Sequence, residues 1–173
     1  MAKKIIVFGG SGFLGSYVSD LLLQEGHEVT IFDLKPSAYI QSGQKMVVGD
    51  ILDRDQVMAA VEGKDIVYNF AGLVDLDDAT TKPFETVTKN IIGTVNILDA
   101  AVSAKVKRFV FASTIYVYSS RGGFYRCSKQ AGEIYIEEYQ KRYGLDFTIL
   151  RYGSLYGPRA GANNGIKRYL TQG

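Results

Sequence analysis

The chain has 173 residues, 46% hydrophobic and 22% charged, with a formal net charge of +2, enough for one globular core. Its cations are scattered: Lys3 and Lys4 precede one apolar run, and Lys105, Lys107 and Arg108 precede another, which argues against a nucleic-acid partner. One cysteine, Cys127, and one histidine, His27, argue against a disulfide framework, a Cys or His metal cluster and a Ser-His-Asp triad.

The N-terminus "MAKKIIVFGG" runs from positive charge through a short apolar run straight into glycines, with no small-residue cleavage site, and reads as a strand. No apolar run approaches the ~20 residues that span a bilayer, so no membrane partner is expected and the expected compartment is the cytoplasm. Strands are expected at Lys4–Phe8, Glu28–Phe32, Lys45–Val48, Ile66–Phe70, Arg108–Ala112 and Phe147–Leu150. Helices are expected between them, near Gly12–Glu25, Arg54–Glu62, Phe84–Lys105 and Phe124–Tyr143. Strand runs apolar on both faces, separated by helices, predict a doubly wound parallel sheet, a single α/β domain of Rossmann-like type over residues 1–173. His27, in "QEGHEV", falls in a helix-to-strand turn. The last stretch, "GPRAGANNGIKRYLTQG", is rich in Gly and Asn and reads as the start of something further.

Three glycines in "GGSGFLG" stand between the first strand and the first helix, where each has its own task. Gly9 permits a tight turn off the strand, with positive φ available to it. Gly12 has no Cβ, so a phosphate can approach the backbone at the helix start, and Gly15 lets the helix lie close to the sheet. The helix N-terminus offers unpaired N–H groups and partial positive charge to a pyrophosphate, and Ser11, Phe13 and Leu14 belong to the same cofactor-binding loop. Asp33 follows Gly15 by 18 residues, at the end of the next strand, where its carboxylate accepts hydrogen bonds from adenosine ribose hydroxyls. That charge repels a 2′-phosphate, which favours NAD over NADP, although Lys35 stands nearby.

A second constellation lies in "FASTIYVYSSRGGFYRCSKQAGEIYIEEY". Tyr125 and Lys129 are four apart and share a helix face, while Thr114 follows an apolar strand. Strand C-termini and the helices after them edge the ligand crevice of a parallel sheet, so hydroxyl, phenol and ammonium are expected to converge there. A phenol with a pKa of ~10 is a poor base at neutral pH. The ammonium, assisted by the positive ring of an oxidised nicotinamide, is expected to lower that value. Tyr125 then takes a proton from a substrate hydroxyl, Thr114 hydrogen-bonds the same oxygen, and Lys129 also holds the nicotinamide ribose. A Tyr and a Lys at this spacing are common on helix surfaces; it is their place behind the glycine loop and a Thr-bearing strand that points to catalysis.

Taken together, these segments resemble the extended short-chain dehydrogenase/reductase family, the NAD-dependent sugar-nucleotide epimerases and dehydratases. "GGSGFLG" is similar to its nucleotide fingerprint, "YRCSK" to its Tyr-Lys motif, and "STIYVY" to the stretch holding its catalytic Ser or Thr, here Thr114. By this resemblance Asp50 and Ile51 in "GDILD" meet the adenine, and Phe70, Ala71 and Gly72 in "NFAGLV" line the cofactor. Asn90 in "NIIGTVNILDAA" fixes the central helix and the active-site end and counts among the cofactor-binding residues, and "LRYGSLYGPR" places Tyr152 near the nicotinamide.

The chain departs from the family pattern in four places. Asn69 replaces a common His and reads as a structural change. The Thr114-to-Tyr125 segment is short, with "SSRGGF" in place of a longer loop, which opens the mouth of the site. Ser154 stands where a substrate-contacting Asn is common, and the chain reaches only Gly173, so the lobe that supplies the sugar-nucleotide pocket is expected to be largely absent. Ile115 and Tyr116 follow Thr114 where the resembling 4,6-dehydratases carry Asp-Glu, so elimination chemistry is disfavoured. The expected activity is an NAD-dependent epimerase acting on a nucleotide sugar by hydride transfer at a secondary alcohol. The alternatives are a dehydrogenase or reductase of the same family, and a non-catalytic NAD-binding module or fragment of a longer enzyme. Apolar residues around the third and fourth helices, Ile91, Ile92, Val95, Ile97, Leu98, Ile134, Tyr135 and Ile136, predict a homodimer through a four-helix bundle, as the resemblance implies.

Overall fold

The computed structural model describes residues 1–73 and 81–161. Six strands form one parallel sheet in the order β3-β2-β1-β4-β5-β6. The chain runs β1 (Lys4–Phe8), α1 (Phe13–Gln24), β2 (Glu28–Asp33), β3 (Lys45–Val48), α2 (Arg54–Val61) and β4 (Ile66–Asn69). It continues through α3 (Pro83–Thr86), a π-helical stretch (Val87–Ile92), α4 (Gly93–Ser103), β5 (Arg108–Thr114), a 3-10 turn (Ile115–Tyr118), α5 (Gly123–Tyr143) and β6 (Phe147–Tyr152). The doubly wound α/β sheet expected from the alternation is present.

β1 lies at the centre, and its alternate side chains serve two cores, as the two-residue period of a strand requires. Ile6 and Phe8 join Phe32, Val67, Ile97, Leu98, Phe109 and Phe111 on the face covered by α2, α4 and α5. Ile5 and Val7 point the other way, packing with Val29 against Leu22 and Leu23 of α1. Strand burial weakens at the edges. Val47 and Val48 of β3 are 37% and 55% exposed, and most of β6 is half-buried. The expectation of strands covered on both faces therefore holds for the four inner strands and not for the rim.

The strand order reverses between β1 and β4, so their C-terminal ends part company side by side and open a crevice. Helix boundaries follow local chemistry. Asp53 caps α2 by accepting from the Gln56 amide at 3.0 Å, and Gly122 and Gly144, both with positive φ, bracket α5. The expected helix Phe84–Lys105 is interrupted by the π-helical stretch, an irregularity that sequence periodicity does not show.

Asn90 lies in that stretch, almost fully buried. Its Oδ1 accepts from the Leu73 amide at 2.6 Å, and its Nδ2 donates to the Leu73 carbonyl at 3.0 Å and to Ser128 Oγ at 2.9 Å. One side chain thereby ties the loop after β4 to α5. Asn90→Ala leaves these groups unpaired, and we expect it to destabilise the fold by about 2–4 kcal/mol, lowering the melting midpoint by roughly 5–10 °C. Thermal unfolding by circular dichroism measures this; an unchanged midpoint would contradict the role of the amide.

Candidate functional site

The glycine loop sits at the point where the strand order reverses. Gly9 turns off β1 with φ +75°, and its amide donates to the Phe32 carbonyl at 2.9 Å. A Cβ on Gly9 would lie 2.6 Å from the Ala71 nitrogen, so the exits of β1 and β4 touch backbone to backbone. A Cβ on Gly15 would stand 2.2 Å from the Gly9 carbonyl oxygen and 2.8 Å from Gly10 Cα. The close approach expected of Gly15 is thus to the loop itself more than to the sheet. Gly10, which the motif reading passed over, is equally constrained, with Ile31 Cγ2 2.8 Å from where its Cβ would be.

Gly12 caps α1 in extended conformation with no side chain to cover the helix end, and the first turn of α1, with Phe13 and Leu14, holds no acid. The N–H groups and positive end of the helix are left for an external anion. At the end of β2, Asp33 Oδ2 accepts from the Ser11 amide at 3.0 Å, and Ser11 Oγ donates to the Lys35 carbonyl at 2.9 Å. These bonds fix the acid against the loop with its other oxygen clear of them. Asp50 Oδ1 accepts from the Leu52 amide at 2.9 Å. Ile51 lies under α4, its side chain 2.5 Å from where a Cβ on Gly93 would be, and its carbonyl accepts from Asn96 at 3.0 Å. Phe70, Ala71 and Gly72 follow β4 half-buried; the last residue of that expected segment, Val74, and residues 162–173 of the terminal stretch lie outside the described residues. Asn69 is buried, bonded to Thr94 Oγ1 at 3.2 Å and to the Ala71 amide at 3.1 Å, in keeping with a structural residue. Ser154 is exposed.

The second group gathers at the neighbouring strand ends. Thr114 is the last residue of β5 rather than the first beyond it, nearly buried, and pairs in register with Tyr152 at the end of β6. Thr114 Oγ1 accepts from the Tyr116 amide at 3.2 Å, which leaves its own O–H free to donate elsewhere. Tyr125 is half-buried in the first turn of α5, with Lys129 one turn on and only 2% exposed. The Lys129 ammonium lies 4.7 Å from the Phe111 ring centroid and 5.7 Å from that of Tyr125, and no described residue accepts a hydrogen bond from it.

The electrostatics correct one expectation. Without cofactor, burial, with a smaller contribution from Tyr116, pushes the Tyr125 phenol up to about 12, so Lys129 alone does not give the lowering expected of it together with an oxidised nicotinamide ring. The reason is the same dryness that surrounds the lysine, whose own pKa burial lowers to about 8. Among the described residues, no group of three or more His, Cys, Asp or Glu is placed to hold a metal. The glycine cradle at a helix start, the carboxylate at the end of β2 and a buried ammonium without an acceptor together fit a dinucleotide.

Fold and site together define a dinucleotide-binding α/β domain carrying a Thr, Tyr and Lys at one end of the sheet. Residues 5–172 match the model of the NAD dependent epimerase/dehydratase family, and the chain belongs to that family. It is 31% identical over 184 residues to a UDP-N-acetyl-alpha-D-glucosaminuronate decarboxylase of Bacillus cytotoxicus, covering 92% of this chain and 57% of that protein. It is 29% identical to the dTDP-D-glucose 4,6-dehydratase of Mus musculus, covering 98% and 55% of the two chains. The Thermus thermophilus UDP-glucose 4-epimerase, solved in complex with NAD, superposes with a TM-score of 0.89 at 28% identity, over 97% of this chain and 60% of that one. The chain therefore spans somewhat over half the length of these relatives.

The Lys129 environment has a measurable consequence. Below pH 8 the folded protein buries a charge that the unfolded chain hydrates, and the penalty is at its full size. Between pH 8 and 10.5 the unfolded chain holds more protons than the folded one, so stability rises with pH. Lys129→Met, apolar and of similar shape, is expected to be more stable than the parent at pH 7 by about 2–3 kcal/mol. The advantage should shrink toward pH 10, above which the raised phenol of Tyr125 begins to act in the opposite sense. Urea denaturation of both proteins from pH 7 to 10 reads the difference; a difference independent of pH overturns the assignment.

Proposed function

We propose that the chain is the cofactor-binding and catalytic part of an NAD-dependent epimerase acting on a nucleotide sugar at a secondary alcohol. The observation that carries this reading is the buried Lys129 ammonium, with no acceptor among the described residues, 5.7 Å from the ring of the half-buried Tyr125, on a helix packed against the strand that ends in Thr114. The decarboxylase and dehydratase relatives are named for UDP- and dTDP-sugar substrates, which supports a nucleotide sugar as the substrate class. Ile115 and Tyr116, in place of an acidic pair, favour epimerisation over elimination.

Gly9, Ser11, Gly12, Phe13, Leu14 and Gly15 cradle the pyrophosphate, and Asp33 accepts from the adenosine ribose. Asp50, Ile51, Phe70, Ala71, Gly72 and Tyr152 border the cofactor. Asn90 contributes by holding the loop after β4, since both donors of its amide already have protein partners. NAD supplies the acceptor for the hydride and, when oxidised, a positive ring. Tyr125 Oη takes the substrate hydroxyl proton, and Thr114 Oγ donates to the same oxygen. With its phenol at about 12, Tyr125 becomes a base near neutral pH only when positive charge is added beside it.

The experiment is calorimetric titration of NAD with and without nucleotide sugars, followed by assay of Tyr125→Phe. Tyr125→Phe should lose at least about a hundredfold in hydride transfer while binding NAD within a few-fold of the parent. Gly15→Ala should abolish NAD binding. An active Tyr125→Phe protein overturns the base. Binding of NAD with no nucleotide-sugar binding favours the non-catalytic module instead.

Assembly and compartment belong to the same proposal: a cytoplasmic homodimer. No described helix is long and apolar enough to cross a membrane. Ile97, Leu98 and Ile136 of the expected bundle helices are core residues, but Phe84, Val87, Ile92, Ile134 and Tyr135 remain exposed. They lie on elements in mutual contact, α3, the π-helical stretch and α5, and a second copy is the proposed cover. Light scattering at micromolar concentration should give twice the chain mass; a single-chain mass defeats the dimer.

A further inference from the structure

Glu133 is a buried carboxylate, 7% exposed, on α5, four residues after Lys129 and eight after Tyr125, so all three lie along one side of the helix. Its Oε1 accepts from Ser113 Oγ and, at 3.0 Å, from Arg151 Nε; its Oε2 accepts from the second guanidinium arm of Arg151 at 2.7 Å. Ser113 and Arg151 are paired in register on β5 and β6, each directly before Thr114 and Tyr152. Arg151 reaches onward to the Tyr118 hydroxyl in the 3-10 turn after Thr114, with its guanidinium 4.9 Å from the Tyr118 ring centroid. One carboxylate thus gathers a helix, two strand ends and the turn between β5 and α5.

We propose that Glu133 is a positioning residue that sets how deeply α5 sits on the sheet, and so holds Tyr125 and Lys129 against Thr114. The inference rests on the assignment of those three residues to the reaction. The helix has little room for error. At Gly132 a Cβ would lie 2.8 Å from the tip of the Phe111 ring, the ring whose centroid is 4.7 Å from the Lys129 ammonium. A buried carboxylate holds geometry only while its oxygens are satisfied, and both oxygens of Glu133 are, by Ser113 and by the more exposed Arg151. The bidentate guanidinium fixes orientation as well as distance. Any loosening lifts the last turns before Glu133 off Phe111 and admits water to Lys129.

The test follows the ammonium titration of Lys129 in cofactor-free protein by NMR of isotope-labelled lysines, with the signal assigned by its loss in Lys129→Met. In Glu133→Ala the Lys129 midpoint should rise from about 8 by about one pH unit or more. Simple loss of a neighbouring negative charge moves it the other way. Lys64, also lowered by burial but beside Lys4, Glu28 and Lys45 at the opposite strand ends, should not move and reports on general loosening. Glu133→Gln, which keeps the shape and part of the hydrogen bonding, should leave Lys129 within about half a unit of the parent. If Glu133→Ala does not fold, Arg151→Lys keeps the charge, loses the bidentate grip, and should raise Lys129 by about half a unit. A Lys129 midpoint that stays or falls in a folded variant, or a Lys64 midpoint that rises with it, overturns the proposal. Because no cofactor is present, this result is independent of whether the chain binds NAD.

Discussion

Three backbones meet with no side chain between them where β1 and β4 end, and the remaining geometry of the site follows from that contact. The exit of β1 touches the exit of β4 at Gly9, and the first turn of α1 closes on the Gly9 carbonyl at Gly15. A parallel sheet whose order reverses between these strands must open there. The glycines keep the opening narrow, so α1 begins directly over it with its N–H groups facing the crevice. Glycine inside a helix costs about 1 kcal/mol relative to alanine. Here that loss is set against the close approach of helix, loop and strand exit, which leaves the helix start bare of side chains.

The proposed catalytic end is built on the opposite principle, close packing of side chains in conflict with their own charge states. Lys129 is buried with its ammonium over the Phe111 ring, which lowers its pKa, and burial raises that of the Tyr125 phenol. Two groups whose charged forms are both disfavoured stand ready to change state together when a charge or a hydroxyl is brought to them. A fully solvated pair would be more stable and less responsive. One turn further along α5, Glu133 is held by both Arg151 and Ser113, which anchors the helix beside the two groups.

Much of this was legible in the chain. Alternating apolar runs located every strand within a few residues, since strands buried from both sides must be apolar throughout. The glycine spacing located the crevice, and the Tyr-Lys spacing gave a shared helix face. What was not legible depends on long-range contacts. β3 looks as apolar as β1 in sequence, yet lies at the rim, because sheet order is not written in any one strand. The upward shift of Tyr125 in the cofactor-free chain comes from burial, which the Tyr-Lys spacing does not reveal. Glu133 reads as one more polar residue on a long helix, and only the register of β5 with β6 brings Ser113 and Arg151 to it.

The two halves of the site are joined through β4 and the π-helical stretch rather than through the sheet alone. The glycine loop bears on Ala71 and Phe70, Gly72 lies against Asn90, and Asn90 holds Ser128 in the same turn of α5 as Tyr125 and Lys129. Ser128 Oγ in turn donates to the Tyr125 carbonyl at 2.8 Å. The loop after β4, which borders the proposed cofactor, is therefore linked to the Tyr125 backbone through three hydrogen-bonded steps and two short, buried side chains, Asn90 and Ser128. Asn90 lies in the widened π-helical turn. Within that turn the Asn90 amide serves the loop and α5 at once. From within the irregular stretch that interrupts the helical pattern, one short side chain joins the proposed cofactor end of the crevice to the proposed catalytic end.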